Sequence, residues 1–497
     1  MGPARVVCEQ RREWLNRLAR MAALTLALLC LFTIGAGAAV ARMLPARLAL
    51  FQLPEVSNAQ GSASRQLLQT ATDPAGGTVS SPAPAAVAAK LAGLIDSGGL
   101  GQQVGALVVN LTSGQVLYSR DADTGFTPAS TTKIATAVAA IRTLGPEARF
   151  TTSVTLSQAA SGTSDLTLVG GGDPTLSAGR YPASFYPQPA SLAALAAGAA
   201  KALKGKGVTS VHLTYNNSLF TGPTVADGWP GDDYITTGNV APITGLEVDQ
   251  GRLTASGRPQ DYDDPSNYSP RSMTPGRDAA VAFAGFLRKD GITVKNIPVQ
   301  VKPGAPAGTE IAAVKSATLA QMVQWMLQES NNVIAETLAR HVAIATGRPA
   351  TFTGAAHAVM AVDGSLGIHG IHLHDGSGLS PLDKISPHAL VSLVKLAAGN
   401  EIPGLRSVLT GLPVAGFAGT LGPGSSFGPF GRPALGTVRA KTGNLSDVAT
   451  MTGIAYASDG SLLIFAFMGN DISAKDGLES ESMLSQLATQ LAGCGCR

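Results

Sequence analysis

Three short segments carry residues that could do acyl chemistry: Ser130-Thr131-Thr132-Lys133, Ser330-Asn331-Asn332 and Lys441-Thr442-Gly443. A serine hydroxyl attacks a carbonyl well only when something takes its proton. Lys133, three positions on, would share a helix face with Ser130. It could act as the base if burial and a second cation such as Lys441 displaced it from its ordinary charged state. Ser330 could then relay a proton to a leaving group, and Asn332 could hold both a substrate amide and Lys133. Lys441 on a strand edge offers positive charge to an anionic substrate end. Thr442 adds a hydroxyl, and Gly443 leaves room for a substrate backbone to come close. A serine at a helix start also has free backbone N–H groups beside it, useful against a developing oxyanion.

Each segment alone has an ordinary structural reading. Ser130 follows Pro128-Ala129 and precedes an apolar-periodic run, so it could cap a helix. Ser330 could cap the next helix, and Lys441-Thr442-Gly443 could close a strand. The order of the three, each in a setting the chemistry needs, sets the ordinary readings aside.

The elements that must position these residues follow from apolar spacing. Ala85–Ile95 reads as a helix, and Val104–Asn110 with Val116–Ser119 as a hairpin around Thr112-Ser113-Gly114. Ile134, Ala137, Val138, Ile141 and Leu144 continue a helix begun near Ser130, which Gly145 and Pro146 end. Thr318–Gln328 and Val333–Ala345 read as helices flanking Ser330-Asn331-Asn332, a composition suited to a junction. Thr437–Thr442, Ala449–Ala457 and Ser461–Gly469 read as strands, the last two around Asp459-Gly460, and Gly477–Leu491 as a closing helix. Strands at both ends with helices between them imply an α/β (α+β) domain: an antiparallel sheet with helices on its faces, built from residues 85–149 and 306–497. Residues 150–305 read as a large, mainly β insertion, with strands near 154–156, 166–169 and 211–215 and a helix over Asp278–Lys289.

The chain has 497 residues, 45% hydrophobic and 14% charged, which suits a large core. A net charge of +3 argues against nucleic acid as the main partner. Met21–Ala41 is a run without charge, preceded by Arg5, Arg11, Arg12, Arg17 and Arg20. It is about the length of a bilayer span, and the arginines place residues 1–20 in the cytoplasm and the body outside. A cleaved signal sequence is the alternative, with small-residue sites at Ala36-Gly37-Ala38 and Ala39-Val40-Ala41. Residues 42–84, rich in Ala, Ser, Gly, Gln and Pro, read as a flexible tether. The four cysteines, Cys8, Cys30, Cys494 and Cys496, lie outside the middle of the chain, so no disulfide framework staples it. Cys494 and Cys496 read as an inert tail pair, with redox or intermolecular pairing as the alternative.

Taken with their surroundings, the motifs resemble the D-alanyl-D-alanine carboxypeptidase/endopeptidase family, the low-molecular-mass class C penicillin-binding proteins. Phe126–Lys133 resembles the stretch around that family's nucleophile, Gly171-Gly172-Asp173-Pro174-Thr175-Leu176 a motif early in its insertion, and Asp375-Gly376-Ser377-Gly378-Leu379-Ser380 a third stretch. Ser330 stands 200 positions after Ser130, room for the large extra module the family places there. The resemblance covers roughly residues 85–491 and implies a penicillin-binding-protein/serine β-lactamase-like transpeptidase fold. It implies that Ser130 attacks the bond between two terminal D-alanines of a peptidoglycan stem peptide, and that the acyl-enzyme is then hydrolysed. It also implies an oxyanion hole from the N–H groups of Ser130 and Asn444, β-lactams as covalent inhibitors, and no metal or organic cofactor.

Two decoys and two rivals remain. Gly424-Ser425-Ser426-Phe427-Gly428 fits a nucleophile-elbow pattern, but it lies among glycines and prolines where a strand–turn–helix is required. His369, His372 and His374 invite a metal reading with only Asp375 close by. A serine β-lactamase would share the core, yet no Glu-x-x-Leu-Asn type segment is found. A non-catalytic wall-binding scaffold would not need Ser130 and Lys133.

Overall fold

The computed structural model describes residues 82–496 apart from 159–163, 180, 182–184, 254–268, 302–307, 428–431 and 474. The Met21–Ala41 run and nearly all of the tether lie outside the described residues. Among the described residues no helix is long and apolar enough to cross a membrane.

The chain opens with α1 (Pro84–Ile95) and a hairpin, β1 (Gln103–Asn110) and β2 (Val116–Arg120). A 3-10 turn over Ala129–Thr131 then leads into α2 (Thr132–Leu144). The inserted stretch supplies β3 (Thr151–Gln158), β4 (Ser164–Val169), α3 (Leu192–Gly205), β5 (Ser210–Asn216), α4 (Pro275–Lys289) and β6 (Thr309–Lys315). Then come α5 (Leu319–Gln328), α6 (Asn332–Ala345), α7 (Phe352–Ser365) and α8 (Pro387–Ala398), with a short helix over Arg406–Gly411. The chain closes with β7 (Val438–Leu445), β8 (Val448–Tyr456), β9 (Leu462–Asn470) and α9 (Gly477–Ala492).

The main sheet has the order β7-β8-β9-β1-β2, antiparallel throughout, so the two sequence ends meet where β1 pairs β9. Alternate residues of each strand go to opposite faces. Leu107, Val109, Ile464 and Ala466 join one core with the middle helices, and Ala106, Val108, Phe465 and Phe467 join another with α1 and α9. Both faces are covered, which is why β9 reads as an unbroken apolar run. Helix α2 runs through the first core with Thr132 to Ile141 all buried; its alanines admit neighbours on every side.

The inserted stretch is more helical than its strands suggest. Its sheet includes β5-β4-β3-β6, and β4 pairs β5 in parallel. A parallel pair needs a crossover, and α3 supplies it. That helix is not among those expected from the sequence, although Leu192, Leu195, Ala196, Ala199 and Leu203 keep a helical spacing and are buried. Its start is nevertheless well marked, since Ser191 caps it by accepting from Ala194 N–H. Edge strand β6, which pairs β3, is drawn from beyond residue 305.

At the C-terminus Cys494 and Cys496 are joined by a disulfide and both are buried in the second core. The Ala83 N–H donates to the Cys496 carbonyl at 2.7 Å, so the two ends of this body touch.

Candidate active site

Ser130 sits in the turn that precedes α2, and it does not cap that helix: no side-chain cap bond is made there. Its Oγ instead lies 2.8 Å from Lys133 Nζ. The same Nζ is 2.6 Å from Asn332 Oδ1 and 2.7 Å from the Ser377 carbonyl. Lys133 is 0% exposed. Burial lowers its pKa to about 7, against the opposing pull of Asp375, Glu336 and Asp383. A neutral amine has two N–H groups and one lone pair. With Asn332 Oδ1 and the Ser377 carbonyl taking the two N–H groups, the lone pair faces the Ser130 hydroxyl. This is the geometry of a base poised on a nucleophile.

The Ser330 capping role falls to its neighbour. Asn331 caps α6, its side chain accepting from Ile334 N–H. Ser330 is left half-buried at a φ of +54°, and Ala129, just before the nucleophile, has a φ of +47°. Both are non-glycine residues in the left-handed region, a strain that persists only where surroundings hold it. Gly378 shows how tightly: a Cβ there would stand 1.8 Å from the Ala129 carbonyl oxygen.

Lys441 lies within β7, the edge strand of the main sheet, and is also 0% exposed. Burial and the neighbouring Lys133 hold its pKa well below the ordinary lysine value. Its Nζ donates to the Thr442 carbonyl at 2.7 Å. Gly443 packs against the nucleophile's own turn: a Cβ would come 2.6 Å from the Pro128 carbonyl and 2.9 Å from Ser130 N. The close approach anticipated for a substrate backbone is thus already made by the protein's own. The Asn444 side chain donates to Glu481 at 2.7 Å. A cavity of about 760 Å³ opens over these residues, lined by Ser130, Ser330, Asn332, Thr442 and Asn444 among others. Lys133 and Lys441 lie behind its wall. The loop of the elbow-like decoy also lines it, through Gly424, Ser425 and Ser426, with no nucleophile arrangement there. His374 stands 3.7 Å from Asp227, and no metal-holding cluster occurs among the described residues.

Sequence reasoning missed the support beneath Lys133. Helix α6 carries Asn332, Glu336 and Arg340 at spacings of four, one polar stripe on a buried helix. Glu336 accepts from Gly376 N–H at 3.0–3.1 Å, and Thr136 Oγ1 donates to the Gly376 carbonyl at 2.6 Å. Burial and Asp375 push Glu336 up to about 8. Arg340 donates to the carbonyls of Thr221, Ala350 and Pro223. Asp375, fully buried, accepts four N–H groups, from Ser377, Gly378, Ser380 and the Trp229 indole, at 2.7–3.0 Å. It fixes the loop that offers the Ser377 carbonyl to Lys133. The signal was present as Asp375–Ser380, but which atom that stretch presents could not be read from it.

The chain is similar to known proteins. A carboxypeptidase of Mycobacterium tuberculosis is 36% identical over 427 residues, covering 85% of this chain and 87% of its own. Carboxypeptidase DacB of Mycolicibacterium smegmatis is 34% identical over 423 residues, covering 84% and 86%. The fold matches penicillin binding protein 4 of Haemophilus influenzae with a TM-score of 0.64 at 24% identity, over 82% of this chain and 98% of that one. The model of the D-Ala-D-Ala carboxypeptidase 3 (S13) family matches residues 87–269 and 256–491. With a serine–lysine pair inside that match, the chain belongs to the D-Ala-D-Ala carboxypeptidase 3 (S13) family.

Proposed function

We propose that this protein is a serine-type D-Ala-D-Ala carboxypeptidase working through a Ser130 acyl-enzyme. The observation that carries the reading is the buried Lys133 Nζ held 2.8 Å from Ser130 Oγ and 2.6 Å from Asn332 Oδ1. The stem peptide lies along edge strand β7, and the Ser130 hydroxyl passes its proton to Lys133 as Oγ attacks the carbonyl of the penultimate D-alanine. The N–H groups of Ser130 and Asn444 receive the oxyanion. Ser330 relays the proton taken up by Lys133 to the departing D-alanine amine, and Asn332 Nδ2 holds the acyl side. Thr442 faces the terminal carboxylate, with Lys441 behind it donating to the Thr442 carbonyl. Water then releases the shortened peptide. A β-lactam acylates the same serine and leaves slowly; penicillin binding protein 4 of Haemophilus influenzae has been solved with a β-lactam. The chemistry draws on side chains and backbone alone.

The substrate is extracytoplasmic, and the Met21–Ala41 run behind five arginines suits an anchor that leaves the body outside. Protease added to intact cells should then digest the body and spare the N-terminus.

The catalytic reading is tested by intact mass of the full chain after brief exposure to penicillin, beside Ser130→Ala. One lasting adduct on the parent and none on the variant is the expected result. Drug consumption without an adduct would point to a β-lactamase. Neither, on folded protein, would leave only a scaffold.

A further inference from the structure

The side-chain amide of Asn332 faces two ways. Its Oδ1 meets Lys133 Nζ, and its Nδ2 donates to the Asn239 carbonyl at 2.9 Å. A carbonyl only accepts, so Asn239 fixes which end of the amide points at the lysine. Next door, Asn331 Nδ2 donates to Gln250 Oε1 at 2.8 Å while its Oδ1 caps α6. Both acceptors, Asn239 and Gln250, belong to the inserted stretch.

One guanidinium joins the two loops that present them. Arg271 donates through Nε and Nη2 to the Gly238 carbonyl, at 3.1 and 2.9 Å, and through Nη1 to the Gln250 carbonyl at 3.4 Å. Gly238 adjoins Asn239 in the chain. Gln250 is 0% exposed with a φ of +55°, and Asp249 before it has a φ of +50°. Two successive non-glycine residues in that region are held there by their surroundings. Gly238, Asn239 and Arg271 also line the cleft above Ser130.

We propose that Gln250 and Arg271 are positioning residues for acyl transfer, through which the inserted domain holds Asn331 and Asn332 in register with Lys133 and Ser130. Neither touches the reacting hydroxyl or the lysine; both act through the asparagine pair. The inference rests on the acyl-transfer reading above and gives the insertion a task in it. With one N–H of Asn332 Nδ2 spent on Asn239, the other remains to meet the acyl carbonyl of the substrate.

The test is the limiting rate of acylation of the full chain by a fluorescent penicillin, normalised to the number of reactive sites. Parent, Gln250→Met, Arg271→Lys, Asn332→Ala and the Gln250→Met/Asn332→Ala pair are compared, with a thermal melt of each. Gln250→Met keeps the side-chain volume and removes the acceptor. We expect it to slow acylation about tenfold, the scale of a small misplacement at a reacting centre. Arg271→Lys, which keeps the charge but not the double contact, should slow it by about threefold. In the Asn332→Ala background Gln250→Met should cost little more, because its route to the reaction is already cut. A rate per site equal to the parent in both Gln250→Met and Arg271→Lys would overturn the inference, leaving a brace that only the melt detects. Equal slowing by Gln250→Met with and without Asn332 would overturn it as well. If the parent itself is not acylated, it is the catalytic reading that fails. Should Gln250→Met not fold, Arg271→Lys and its pair with Asn332→Ala carry the same comparison.

Discussion

The floor beneath Ser130 and the interior of the inserted domain both bury ionisable groups, and they treat them differently. At the floor, Lys133 has three partners and Asp375 accepts four N–H groups. In the inserted domain, Glu247 Oε2 and Asp173 Oδ2 are buried without a hydrogen-bond partner. Burial pushes Asp173 up to about 6 and Glu247 up to about 8. Raised acids occur at the floor too: Glu336 is pushed up to about 8, and Asp383, with one buried oxygen unpartnered, stands well above its ordinary value. What distinguishes the floor is a carboxylate such as Asp375, whose four N–H bonds fix the loop that meets Lys133.

The contrast can be broken in several places. Lys133→Ala should have the largest effect, lowering the penicillin acylation rate about 10²–10⁴-fold, the range for a lost general base; an undiminished rate would move the base elsewhere. Asp375→Asn comes next. An amide cannot accept four N–H groups, so a loss of about 3 kcal/mol in urea unfolding is expected together with slower acylation. Unchanged stability would mean that the loop does not depend on its carboxylate.

The pH profile is the third. Lys133 must be neutral to accept a proton, and its pKa is about 7. Acylation of the free enzyme should therefore fall about tenfold per pH unit below that value. Asp375 is the first of the charges that pull the lysine upward, so Asp375→Asn should also move this limb to lower pH. A limb that stays put would show that the Asp375 charge is not felt at Lys133. The smallest effect on acylation is expected from Glu247→Gln. An acid whose folded pKa is raised from 4.5 to about 8 is ionised first in the unfolded chain. Its presence therefore costs stability progressively as pH rises between those values. The glutamine should flatten that slope, by about 1.4 kcal/mol per pH unit across the interval. An identical slope in parent and variant would show that Glu247 is ionised in the fold.

Much of this was legible because catalytic chemistry uses few residue types at fixed spacings. Ser130 and Lys133 are three apart, and the helix does the rest. Helix α5 was bounded almost to the residue by the one-sided spacing of Leu319, Met322, Val323 and Met326; Thr318 and Gln321 cap it reciprocally. The antiparallel sheet followed from apolar runs and a tight Asp-Gly turn. What stayed hidden is of two kinds. Backbone acceptors, such as the carbonyls of Ser377 and Asn239, carry no side-chain signature. Contacts across great sequence distance, such as Gln250 with Asn331, leave no local pattern. Asn332, Glu336 and Arg340 were visible at intervals of four, but such a stripe more often faces water. Only burial of the whole helix shows that it faces the site.

The touching ends have a mechanical consequence. Since Ala83 donates to the Cys496 carbonyl, the body is almost a closed ring, and tension applied through its two ends enters at one point. Such a pull peels α1 and the disulfide-closed tail away from the second core, bond after bond. The main sheet behind them is not sheared as a unit. The same closure makes the molecule a candidate for circular permutation: a short linker across residues 83 and 496 could carry the chain continuity, and new ends could open in an exposed turn such as Asp459-Gly460.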